Sequence, residues 1–226
     1  MNPFIDAFSR LNENEAFKWD SYFSAYSDIF APYLSRPNLC LLEIGVSKGG
    51  SLDMWSNVFH KTTTIVGIDI DPSCLDAKHP DNVYVHIVDQ TDEQMLTQLA
   101  LIYGGFDIII DDGAHTDTAI KSSLLTLWPY LRDNGVYLVE DIHGTFWDDA
   151  WSYDASFMNF IANEIMAMQS IGSRNRITSV PRLPNLERVS MHWSIAALSK
   201  SSLAANPKYS LKAANRSIKP FSRLDD

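Results

Sequence analysis

Hydrophobic and polar positions alternate between two periods along the chain. The opening stretch "NEAFKWDSYFSAYSDIFAPYLSRPN" reads as helix, because Tyr22, Tyr26, Ile29, Phe30 and Tyr33 recur at spacings of three and four and make one apolar-aromatic face. Pro37 and Asn38 help to end it. Short, near-continuous apolar runs then alternate with helical segments. "LCLLEIG", "TTIVGIDI", "VYVHIV", "FDIII" and "GVYLV" predict strands; "GSLDMWSNVF", "DEQMLTQLALIYG" and "HTDTAIKSSLLTLWPYL" predict helices. After residue 150 a helix, "SFMNFIANEIMAMQS", precedes two closing strands, "RVSMHWS" and "IAALSK", close enough in sequence to be antiparallel.

Apolar strands separated by helices imply a parallel sheet covered on both faces. Right-handed crossovers make it doubly wound. The expected fold is therefore α/β and Rossmann-like: seven strands, mostly parallel with a C-terminal antiparallel pair, and helices on both faces. The expected division is an N-terminal helical segment (1–38), one α/β domain (39–199) and a basic, Ser-rich tail (200–226).

Ligands bind such sheets beyond the carboxyl ends of the strands. The polar residues collect there. The strands end at Gly45, Asp69, near Asp89, at Asp111–Asp112 and at Glu140–Asp141, so every acidic terminus falls on one rim. Taken singly, an acid at a strand end reads as a helix N-cap or a solvated loop residue, a reading that suits Asp71 before Pro72 better than Asp69. Their coincidence with the glycine-rich "LLEIGVSKGGSL" loop points to a nucleoside site. Gly45 permits a tight turn, and Gly49 and Gly50 a close backbone approach. The loop lacks the G-x-G step of the dinucleotide fingerprint, and Lys48 precedes the glycines, so it is not a Walker loop either. Asp69 is placed to accept ribose hydroxyls, and Asp89 and Gln90 to reach an adenine amino group.

These motifs, E-x-G-x-x-x-G-G, G-I-D-I-D-P and D-Q, resemble class I S-adenosylmethionine-dependent methyltransferases over about residues 40–150. Within them, "IIIDDGAH", "YLVEDIHGTFW" and the leading "KWDSYFSAYSDIF" are similar to the metal-dependent O-methyltransferases that modify sugars of macrolides and other glycosylated natural products. "HGTFW" departs from the Thr-Ser-Tyr-Trp pattern common in that group. The resemblance implies that Glu43, Gly45, Gly49 and Ser51 line the methionine end of S-adenosylmethionine (S-adenosylhomocysteine after transfer), with Asp69 on ribose and Asp89 and Gln90 near adenine.

Neighbouring strands lie ~4.8 Å apart, so the carboxylates ending the fourth and fifth can converge. Unpaired they would repel and raise one another's pKa values; a divalent cation removes that penalty. Oxygen ligands without cysteine favour Mg²⁺, with Mn²⁺ or Ca²⁺ as alternatives. The resemblance makes Asp112, Glu140 and Asp141 the metal ligands and His115 the general base. Asp111 would then face the cofactor or support the shell. Trp147 and Trp151 read either as a stacking wall for a sugar or as loop packing. His86 and His192 read as structural, and His143 lies beyond the acidic pair.

Composition narrows the partners. The chain has 226 residues and a formal charge of −10; residues 200–226 carry six Lys or Arg against two Asp, which leaves −14 on the remainder. An acidic body repels phosphates and disfavours a polynucleotide substrate, and no N-P-P-Y segment follows the fourth strand. No apolar run approaches the ~20 residues of a membrane span. No secretory signal is read at the N-terminus. Cys40 and Cys74 sit in or beside core segments, which fits a reducing, cytoplasmic setting. The expected activity is Mg²⁺-dependent O-methylation of a sugar or glycosylated small molecule. The alternatives are a catechol-like vicinal diol as acceptor, or a binding protein without turnover. The aromatic N-terminal face and the tail could pack on a second subunit, as in a homo-oligomer, or within the monomer.

Overall fold

The computed structural model describes residues 2–147, 152–170 and 181–202, with the backbone alone at 209–214 and 217–223. Five strands, β1 (Cys40–Ile44), β2 (Thr64–Asp69), β3 (Val83–Ile87), β4 (Phe106–Asp111) and β5 (Leu131–Val139), are parallel. The pair β6 (Leu186–His192) and β7 (Ile195–Lys200) completes a seven-stranded sheet in the order β3-β2-β1-β4-β5-β7-β6, with β7 antiparallel to both neighbours. The order reverses between β1 and β4, the switch point at which ligands settle in open α/β sheets.

Each central strand is buried on both faces, and its side chains sort by parity into two cores. Cys40, Leu42 and Ile44 of β1 join Ile109 of β4 and Tyr137 and Val139 of β5 on one face. Helices α4 (Glu93–Tyr103), α5 (Asp117–Leu127) and α6 (Phe157–Ser170) cover it with Leu96, Leu124 and Phe160. Leu41, Ile108, Ile110, Val136 and Leu138 point the other way. There α1 (Pro3–Ser9), α2 (Tyr22–Phe30) and α3 (Gly50–Val58) meet them with Phe4, Tyr26 and Trp55. The Tyr22–Tyr33 face packs within its own chain: Tyr22, Tyr26, Ile29, Phe30 and Tyr33 are all buried against the sheet.

Two local expectations change. The helix over the opening stretch begins only at Tyr22, and residues 11–18 run as an irregular strap. Tertiary bonds hold the strap out of helical geometry: Asn14 donates to Asp53 Oδ2 at 2.7 Å, and the Gly50 N–H donates to Glu15 O at 3.0 Å. A Cβ on Gly50 would stand 2.5 Å from that carbonyl, so the close approach requires glycine. An additional helix, α1, precedes the strap and is capped by Asn2. In the tail, β8 (Tyr209–Ala214) and β9 (Ser217–Arg223) form an antiparallel hairpin that the composition did not announce. Among the described residues no helix is long and apolar enough to cross a membrane.

Candidate active site

A cavity of about 490 Å³ opens at the switch point, within the usual range for a small-molecule site. Its floor is the β1–α3 loop. Gly45 takes φ +91°, and a Cβ there would lie 2.1 Å from the Asp112 carbonyl oxygen, so no other residue fits without moving the β4 end. Asp69 ends β2 and holds the loop: its Oδ2 accepts from the N–H groups of Val46 and Ser47, each at 2.9 Å. Ile68, Ile70 and Val88 give the cavity an apolar side, and Asp89, Gln90 and Ser51 also line it. Hydrogen bonds from the Thr91 backbone and hydroxyl hold the Asp89 carboxyl below its ordinary value.

Several residues expected on the cofactor stand behind this wall. Gly49 caps α3 with φ +83° and faces His79 instead of the cavity. Glu43 is fully buried; it accepts from Ser51 Oγ at 2.8 Å and Trp55 Nε1 at 3.1 Å, and burial lifts its carboxyl to about 7. Asp111 shares the parity of Ile109, which turns it into the α5-side core. There it accepts from Gln90 Nε2 (2.7 Å), Ser123 Oγ (2.6 Å) and Tyr137 OH (2.9 Å). Asp111 does not line the cavity. Gln90 in turn spends its amide on the protein, because its Oε1 accepts the Ala114 N–H at 2.9 Å. The side chain ties the end of β3 to the loop after β4 and lines the cavity.

The acidic rim converges. Alternation along β1, β4 and β5 sends Glu43, Asp112 and Glu140 to the face covered by the N-terminal helices. The Glu140 N–H donates to Asp111 O, and the Asp112 N–H to Ile44 O, both at 2.9 Å. Asp112, His115 and Asp141 offer ligand atoms all within 4.8 Å of one another, and each lines the cavity. His115 Nε2 lies 3.8 Å from Asp141 Oδ2.

Glu140 is not in that trio. Its carboxylate is fully buried and accepts from Tyr26 OH at 2.7 Å and from Lys18 Nζ at 2.8 Å. Lys18 comes from the strap, and its ammonium also donates to Asp112 Oδ2 at 2.7 Å. Burial alone would push the ammonium down; Asp112 and Glu140 outweigh it and hold Lys18 well above the ordinary lysine value. Burial raises the Glu140 carboxyl, against the pull of Lys18. Sequence reasoning missed Lys18. The only local signal was its place in "KWDSYF".

Backbone strain gathers at the same place. Among the described residues, Ser47, His115, Asp141 and Ser194 hold positive φ without being glycine or asparagine. The first three line the cavity, and Ser194 bonds His143 Nδ1 at 2.5 Å beside it. Clustered left-handed residues of this kind mark functional sites. Beyond Asp141 an aromatic group surrounds His143. Trp193 stacks on it at 5.4 Å, Trp147 meets it edge-on at 5.1 Å, and Trp19 meets Trp193 at 5.2 Å. Trp19, Trp147 and Trp193 are each about half or more exposed. Trp151 lies outside the described residues. His86 is tied to Tyr103 OH at 2.8 Å, and His192 ends β6 opposite Ile195, at the turn whose Ser194 bonds Ile142 and His143.

Residues 42–142 match the family described as "Methyltransferase domain". Demethylmacrocin O-methyltransferase of Streptomyces fradiae is 36% identical over 141 residues, covering 58% of this chain and 34% of that protein. Mycinamicin VI 2''-O-methyltransferase of Micromonospora griseorubida is 37% identical over 116 residues, covering 47% and 28%. The chain thus spans about a third of the length of these curated relatives. A solved structure of MycE methyltransferase from the mycinamycin biosynthetic pathway, in complex with Mg, SAH and mycinamycin VI, superposes with a TM-score of 0.73. It is 27% identical, over 88% of this chain and 53% of that one. The resemblance read from the motifs, to class I methyltransferases and within them to the sugar O-methyltransferase group, holds at the level of both sequence and fold.

Proposed function

We propose that this chain, with its methyltransferase domain at residues 42–142, is an S-adenosylmethionine-dependent O-methyltransferase for a hydroxyl of a sugar or glycosylated small molecule, assisted by a divalent cation, Mg²⁺ foremost. One observation carries the reading. The glycine-loop cavity bounded by Asp69, Asp89 and Gln90 opens directly onto Asp112, His115 and Asp141. A nucleoside donor site and a hard-ligand site share one mouth. The sugar acceptor is supported by the relatives' names and by the exposed indoles of Trp19, Trp147 and Trp193 beside that mouth.

The donor set suits a hard dication: carboxylates and one imidazole, with no thiolate. Asp112 and Asp141 would hold it, and Glu140 would join only where Lys18 gives way. Bound there, the cation would lower the pKa of the acceptor hydroxyl. His115, in this reading, takes the hydroxyl proton and not a coordination position. S-adenosylmethionine supplies the methyl group, and Asp69, the Gly45–Ser47 backbone and the strap at Glu15–Lys18 fix the donor's orientation. The buried, uncrosslinked Cys40 and Cys74 accord with a cytoplasmic setting.

Calorimetry with S-adenosylmethionine tests the donor site, and failure to bind removes the methyltransferase reading. Turnover on a panel of glycosides and catechols, with and without EDTA, separates the acceptor classes and the metal requirement. His115→Ala and Asp112→Ala are each expected to lower kcat at least a hundredfold. Full activity in both would sink the assigned roles.

A further inference from the structure

The site buries a cation among its acids. The Lys18 side chain, 2% exposed, stands between Asp112 Oδ2 at 2.7 Å and Glu140 Oε2 at 2.8 Å, with Glu43 Oε1 at 3.9 Å. Carboxylates from β1, β4 and β5 are thus gathered around one ammonium. Unpaired, these buried anions would be costly; with Lys18 among them the chain can fold before any metal arrives.

An ammonium hydrogen-bonded to Asp112 and Glu140 fills the space that an ion bridging the same oxygens at about 2.0–2.1 Å needs. Like charges also exclude one another at that range. We infer that Lys18 is a tethered place-holder for the divalent cation, so that loading the ion onto Asp112 and Glu140 and withdrawal of Lys18 are one event that shifts the strap. This rests on the cation site proposed above. The strap's upstream end is pinned through Asn14 and Glu15, which confines the movement to Ala16–Trp19. Those residues form a wall of the nucleoside cavity, through Ala16, Phe17 and Lys18, and of a second cavity of about 340 Å³ lined by Ala16–Trp19, Tyr22, Glu140 and Asp141. Trp19 Nε1 also donates to Asp141 Oδ1 at 3.2 Å. Metal occupancy would therefore reshape both cavities through one short segment.

The test uses the intact wild-type chain. Acetic anhydride labelling, mapped by mass spectrometry, should modify Lys18 far more slowly than exposed Lys48 when divalent ions are removed with EDTA. Saturating Mg²⁺ should raise the Lys18 rate at least tenfold and leave Lys48 unchanged. Lys18→Met should bind Mn²⁺, followed by electron paramagnetic resonance, at least tenfold more tightly than wild type. Lys18 still protected at saturating Mg²⁺ overturns the inference, and so does Mn²⁺ affinity that is unchanged or weakened in Lys18→Met; where wild type binds Mn²⁺, the cation site itself stands. Absence of Mn²⁺ binding to both proteins overturns the cation site and the place-holder together. If Lys18→Met does not fold, the wild-type labelling decides alone.

Discussion

Replacing Asp111 separates a residue that supports the cavity from one that touches its ligand. The carboxylate is buried and meets the donors Gln90 Nε2, Ser123 Oγ and Tyr137 OH at 2.7, 2.6 and 2.9 Å. Asp111→Leu leaves all of them facing an apolar side chain. Ser123 retains the carbonyls of Ala119 and Ile120 at 3.0 and 3.1 Å, and Tyr137 OH retains Ser123 Oγ at 3.1 Å. Gln90 Nε2 keeps only the longer contact to Ser123 Oγ at 3.3 Å. At about 1–3 kcal/mol for each buried donor left unsatisfied, the expected loss is about 3 kcal/mol. Asp111→Asn behaves differently. Its oxygen can keep Gln90, while its amide donates to the two hydroxyls, which rotate to accept; the expected loss is about 1 kcal/mol or less. The pH dependence changes as well. Burial raises the native Asp111 carboxyl, so its protonated form is favoured on folding. The stability this contributes is present below the ordinary carboxylate value and is lost as pH rises through the raised one. Asp111→Asn removes that component. Urea unfolding midpoints between pH 4 and 8, with S-adenosylmethionine calorimetry on each folded variant, decide the matter. An Asn variant as unstable as the Leu variant refutes the bonding account. An Asn variant of full stability that no longer binds the nucleoside refutes the supporting role.

Further outcomes follow from neighbouring residues. Glu43, raised to about 7 by burial, contributes stability that is present below about pH 4.5 and lost as pH rises to about 7, about 3 kcal/mol in all; Glu43→Gln should flatten urea midpoints across that window. Gly45→Ala must relieve a 2.1 Å contact with the Asp112 carbonyl at φ +91°, so calorimetry should show at least tenfold weaker S-adenosylmethionine binding, with about 2 kcal/mol or more of lost stability. Trp193→Ala removes one exposed indole of the aromatic group; acceptor KM should rise about fivefold to tenfold, equivalent to about 1–1.4 kcal/mol of stacking, with the donor Kd unchanged.

The sequence by itself determined the order of the seven sheet strands and of the helices between them, the antiparallel closing pair and the rim on which the acids gather. Each of these follows from local periodicity: apolar runs of strand length, helical spacing between them, and polar residues where a strand must leave the sheet. Strand parity was legible too. It already places Asp111 opposite to Asp112 and Glu140, where the resemblance left Asp111 either facing the cofactor or supporting the shell. What the tertiary structure decided is who neutralises whom. Lys18 meets Asp112 across 94 residues and Glu140 across 122, and no pattern within a strand or helix carries a pairing of that span. The same holds for the strap. Residues 11–18 have side chains that tolerate a helix, but bonds to Asp53, Gly50, Asp112 and Glu140 outweigh that preference. Local spacing fixes which face a side chain takes; only the packing of distant segments fixes which charge it finds there.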